Sequence, residues 1–146
     1  MAALAQTAMR EMDEAIEAAT ADAPSYTEAL RISLETIIPL ADRHGFLARE
    51  PLEHHPEVSA SYQRQLDELA EAIDGAKAEG CFTPAVPTAW IVQAFDALIF
   101  AAWETVRDGD ATPRQASVLA WRTLTAGLGA DPVIAPPRER PDTESP

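Results

Sequence analysis

The chain has 146 residues, 47% hydrophobic and 24% charged, the length and composition of one globular domain with one core rather than of a disordered segment. Acidic side chains outnumber basic ones 24 to 11, a formal charge of −13 with Lys77 as the only lysine. Such a surface repels phosphate and argues against binding of duplex DNA or an anionic membrane by this chain. The single cysteine, Cys81, excludes an internal disulfide framework and a Cys-rich zinc site, and fits a reducing, cytoplasmic setting. The first residues lack the basic and apolar regions of a secretory signal. The most apolar stretch, 91–103, carries Gln93 and Asp96 and reads as too short and too polar for a bilayer span.

Abundant alanine, only 6 glycines and no clean alternating run predict helix throughout. The first helix is expected over residues 2–20, with Leu4, Ala8, Met12, Ala15, Ile16 and Ala19 as its apolar stripe. Asp22, Ala23 and Pro24 end it. Ser25 is then an N-cap, with Glu28 three residues on to complete a capping box. The second helix presents Tyr26, Leu30, Leu34, Ile37 and Ala41 on one face, and Pro39 predicts a kink or break near Ile38. A short helical piece is expected over 46–50, between Gly45 and Pro51.

Pro56 suits the first position of a third long helix, which Gly80 closes. Its core stripe reads Val58, Tyr62, Leu66, Leu69, Ile73 and Ala76, with Gly75 as a mild weakness. Pro87 opens a fourth helix, expected over 87–108 and stopped by Gly109. Thr112, Pro113 and Gln115 give the strongest start signal in the chain for a fifth helix ending near Leu128. Beyond residue 130 the five prolines of the tail, 131–146, lie among charges and small polar residues, so that segment is expected to stay disordered. The fold class is therefore all-α, a bundle of five to six helices over residues 1–130.

The fourth helix is apolar on more than one side. Val92, Phe95, Leu98, Ile99, Ala102 and Val106 fill one broad face. Ala94, Ala97 and Ala101 make a separate seam of small residues with Trp90 at its end, and Phe100 and Trp103 interrupt the polar remainder. The fifth helix has Trp121, Leu124 and Leu128 on one stripe. A helix apolar on two sides must be covered on two sides, which predicts a homodimer through the last two helices, with Ala94, Ala97, Ala101, Trp103, Trp121, Leu124 and Leu128 at a four-helix interface.

The order of helices and breaks resembles the regulatory domain of TetR-type transcriptional repressors. The resemblance is strongest in the link and helix start over 80–90 (Gly80, Phe82, Pro84, Pro87, Trp90), in the helix end over 102–109, and in the closing helix over 119–128. Residues 4–14 look like the helix that leaves the family's DNA-binding head. Where members of this type often carry an arginine and an aspartate after the glycine, this chain has Thr83 and Ala85. The resemblance implies a dimeric sensor of a small, mostly apolar effector, with no cofactor and no catalytic role. Operator DNA would be met only through a helix-turn-helix head preceding the residues seen here. It also implies a cavity between the second, third and fourth helices, lined by some of Leu34, Ile37, Tyr62, Leu66, Phe95 and Ile99.

Other chemistry is sparse. His54 and His55 are adjacent at a helix start and point in different directions, a poor pair of metal ligands; His44 or Cys81 would have to complete any site. Asp96 has three readings: orienting a ligand in a pocket, pairing with an arginine across a dimer seam, or, most simply, facing the polar side with Gln93 and Arg107. Cys81 lacks an electropositive setting and reads as an inert thiol. There is no phosphate loop and no framed nucleophile. The alternative functions are a small helical enzyme with a metal or acid–base site around His44, His54, His55, Glu57 and Asp96, and a stand-alone interaction protein.

Overall fold

The computed structural model describes residues 2–40, 43 and 56–129. Among these it is all-helical, with five helices: α1 (Ala2–Thr20), α2 (Tyr26–Ile37), α3 (Pro56–Ala78), α4 (Thr88–Arg107) and α5 (Pro113–Leu128). The 46–50 helical piece, His44, His54, His55, Ala41 and the 131–146 tail lie outside the described residues. α1 packs on α2 and α3, α2 on α3 and α5, and α4 between α3 and α5.

Local signals set most helix ends. At Pro39, which has no N–H to donate, α2 stops and one 3-10 turn, Ile38–Leu40, follows. Gly80 and Gly109 end α3 and α4 in the left-handed region, with φ of +87° and +81°, which a glycine enters without strain. At Thr112 the full capping box forms: its hydroxyl accepts from Gln115 N at 3.2 Å and the Gln115 side chain accepts from Thr112 N at 2.9 Å. Ser25 also caps, accepting from Glu28 N at 3.1 Å, but Glu28 does not reciprocate. Its carboxylate is held by Arg31 at 2.6 Å. The first N–H groups of α2 are satisfied from across the bundle: Glu79, just past α3, accepts from Tyr26 N at 3.0 Å, Thr27 N at 2.8 Å and the Thr27 hydroxyl at 2.7 Å. A carboxylate there also meets the positive end of the helix dipole.

The core gathers Met9 and Met12 of α1, Leu30, Leu34 and Ile37 of α2, Val58, Ile73 and Ala76 of α3, Phe95, Ile99 and Trp103 of α4, and Ala116, Ala120 and Leu124 of α5. Phe82, in the link between α3 and α4, is fully buried. It pairs through a single β-bridge with Gly129, and Thr83 N donates to Leu128 O at 2.9 Å. That pins the α3–α4 link to the end of α5. Lys77 Nζ donates to Val86 O at 2.5 Å and closes the same link from α3.

Four expectations are corrected. The buried face of α1 is rotated from the predicted stripe: Ala5, Ala8, Met9 and Met12 are buried, while Leu4 is 57% exposed and Ala19 is exposed. Tyr26 is 54% exposed rather than core, its ring lying over Gly75 of α3. That closeness explains the glycine, because a Cβ there would strike the ring. Trp103 and Leu124 need no second partner, since their own chain buries them to 4% and 1% exposure. The Trp103 indole N–H donates to Ile37 O at 3.2 Å, where α2 has run out of helical donors. Finally, by length and composition α4 is long and apolar enough to cross a membrane, contrary to the reading of 91–103. Here its broad face lies in the bundle core, and core helices carry the same signature.

Candidate functional site

A cavity of about 590 Å³ opens between α1, α2, α3 and α4, within the range of about 300–1,000 Å³ of small-molecule sites. Its apolar wall comes from Ile16 of α1, Leu30 and Ile37 of α2, Leu66 and Leu69 of α3, and Phe95 and Ile99 of α4. Its polar groups are Asp13, Glu17, Ser33, Tyr62, Gln65, Glu68 and Asp96, with Thr20 at one edge. A smaller void of about 70 Å³ adjoins it, walled by Met9, Met12, Phe100 and Trp103. The two share Ile16, Ile37, Tyr62, Gln65, Asp96 and Ile99, so Tyr62, Gln65 and Asp96 stand at the waist between them, while Asp13, Glu17, Ser33 and Glu68 line the large cavity alone.

The cavity follows from how α3 sits. Its stripe is buried at both ends, by Val58 and by Ile73 and Ala76, whereas Tyr62, Leu66 and Leu69 in the middle are only half-buried. The middle of α3 therefore stands away from its neighbours, and its side chains face open space instead of interdigitating.

Five of the six residues expected to line a pocket do so: Ile37, Tyr62, Leu66, Phe95 and Ile99. Leu34 does not. It shares a face of α2 with Leu30 and Ile37 but is fully buried in the core, while the cavity is lined from α2 by Ala29, Leu30, Ser33 and Ile37. The contribution of α1 was not anticipated. Its trace in the sequence was Ile16, on the expected apolar stripe; nothing singled out Asp13, Glu17 or Thr20.

Asp96 is the main correction. It does not join Gln93 and Arg107 on a polar face. It is half-buried, lines both cavities, and accepts a hydrogen bond on Oδ2 from the Tyr62 hydroxyl. Arg107 is instead engaged by Glu104 and Asp108. Burial pushes the Asp96 carboxyl above the usual carboxylate range, and the Tyr62 hydrogen bond only partly opposes this. The Tyr62 phenol is pushed up as well, by burial first and then by the hydrogen bond and charge of Asp96. Asp13 is also raised by burial, countered by Gln65 and Arg64; Gln65 Nε2 donates to its Oδ1 at 2.8 Å. Tyr62–Asp96 and Gln65–Asp13 thus form two pre-arranged polar pairs on the cavity wall.

Among the described residues, the remaining candidates do not join this site. Glu57 is exposed and accepts from Gln6 Nε2 at 2.9 Å. Cys81 lies in the α3–α4 link, its thiol pushed up by burial, the setting of an unreactive thiol. Of the seam residues, Ala97 and Ala101 are exposed and Ala94, Trp121 and Leu128 half-buried. Beside them Trp90 is 64%, Val118 58% and Leu119 53% exposed. No family model, no curated protein and no solved structure matches the chain.

Proposed function

We propose that this chain is a small-molecule sensor domain, the effector-binding and dimerising part of a transcriptional regulator of the TetR type. The observation that carries the sensor reading is the cavity of about 590 Å³, with an apolar wall from four helices interspersed with polar side chains. A bundle built only for stability fills such a space. The regulator part rests on the resemblance of the helix order and link, and on the exposed apolar face of α4 and α5, where Trp90, Ala97, Ala101, Val118 and Leu119 offer a second copy a surface. In an intact regulator an effector acts by preferring one of two arrangements of the DNA-binding heads.

The sensor reading is tested with the neutral fluorescent probe N-phenyl-1-naphthylamine. Saturable, one-to-one binding is expected, abolished by Leu69→Trp, which fills the chamber from α3. Absence of binding to the wild-type chain, or binding untouched by the filled variant, refutes it. Sedimentation tests the dimer: Ala97→Glu with Ala101→Glu should give a folded, helical monomer from a dimeric parent, and a parent that is already monomeric at tens of micromolar, roughly the range of weak specific association, refutes that part.

A further inference from the structure

The charges around the large cavity are of one sign. Its wall carries four carboxylates, Asp13, Glu17, Glu68 and Asp96, and among the described residues no lysine, arginine or histidine. Arg64 favours the charged form of Asp13, but it is exposed and is not part of the wall. Asp96 has no such counter-charge. Its Oδ2 takes the Tyr62 hydroxyl, and its Oδ1 has no hydrogen-bond partner among the described residues. A half-buried carboxylate beside Phe95 and Ile99 carries a desolvation cost that an entering positive charge offsets. Tyr62 and Phe95 are the aromatic members of the wall, and aromatic rings attract cations. An anionic head would meet four like charges, and a neutral ligand would desolvate Asp96 further without pairing it.

The geometry points to an organic cation as the ligand: a protonated amine or quaternary ammonium on an apolar body, its charge against Asp96 and its body along Leu30, Leu66 and Leu69. This assignment of ligand class rests on reading the cavity as a ligand site. Because the whole chain is acidic, a cation also collects on its outer surface, so the test must separate chamber from surface.

Three probes of one chain length serve: decyltrimethylammonium, decanol and decyl sulfate, each below its micelle-forming concentration, titrated by calorimetry into the full chain. The cation is expected to bind one-to-one and at least about tenfold tighter than decanol, with decyl sulfate weakest. Asp96→Asn, which keeps an acceptor for Tyr62, should weaken the cation at least about tenfold, less than the loss of a fully buried charge partner because Asp96 is half-buried, and leave decanol unchanged or tighter. Glu71→Gln, an exposed carboxylate outside the wall, should change nothing. Should Asp96→Asn fail to fold by circular dichroism, Asp13→Asn replaces it, with a smaller but selective loss expected for the cation. Failure of all three probes to bind overturns the cavity reading and this inference with it. Decanol or decyl sulfate binding as tightly as the cation overturns only the inference, as does a cation that binds the folded aspartate variant as well as the wild type.

Discussion

Two tryptophans of α4 should respond very unequally to the same substitution. Trp103 is 4% exposed, and its indole N–H meets the Ile37 carbonyl at 3.2 Å. Trp103→Phe keeps an aromatic ring but deletes the donor. The carbonyl left buried at the end of α2 costs about 1–3 kcal/mol. The two ring carbons lost from the core cost roughly 1–1.5 kcal/mol more. The sum, about 2–4.5 kcal/mol, is a large share of the roughly 5–15 kcal/mol that holds a domain of this kind together. It corresponds to a fall of roughly 7–15 °C in Tm. Trp90→Phe, at 64% exposure, should stay within about 0.5 kcal/mol in the monomer. Urea unfolding followed by circular dichroism reads both, at protein concentrations low enough to suppress association. A loss below about 1 kcal/mol for Trp103→Phe, with an unchanged m-value, would show that the Ile37 carbonyl finds another donor and would refute the reasoning.

Three further outcomes follow from the same packing. Leu34→Ala, at a fully buried site, should cost about 2–5 kcal/mol, whereas Leu66→Ala, half-buried against the open cavity, should cost clearly less; equal losses by denaturant titration would mean that the cavity is closed in solution. Because burial raises the Asp96 pKa above 3.8 in the folded state, the folded chain holds this proton more tightly than the unfolded one, so Asp96 subtracts stability as pH rises from about 3.8 through the folded pKa and no longer does so below that window; Asp96→Asn should therefore be the more stable chain at pH 7 and equal to wild type at the acid end, and equal stability at both ends contradicts the burial. Gly80→Ala, at φ +87° with open space around it, should cost about 1–2 kcal/mol by backbone strain alone, while Gly127→Ala, within α5 with nothing near, should gain up to about 1 kcal/mol; thermal unfolding giving both the same sign would contradict the backbone assignment.

The sequence by itself determined where the helices begin and end. Thr112 with Gln115, Gly80, Gly109 and Pro39 act through hydrogen bonds and torsions of residues a few positions apart, so their effect is readable from neighbours in the chain. Part of the cavity wall was legible too, since Tyr62, Leu66, Phe95 and Ile99 lie on apolar stripes that must face some interior. Only the tertiary structure decided what depends on the rotation and spacing of whole helices. Leu34 and Ile37 share a face of α2, yet one is in solid core and the other on a cavity, a difference set by how far α3 stands off in its middle. Asp96 turned inward because Tyr62, 34 positions away, supplies the hydroxyl that makes a half-buried carboxylate tolerable. Glu79 caps α2 from more than fifty positions along the chain, and α1 buries Ala5 and Met9 in place of Leu4. Each of these is a choice among near-equal local alternatives, made by partners distant in sequence, and periodicity narrows a helix to a broad face without saying which edge of that face the rest of the bundle will cover.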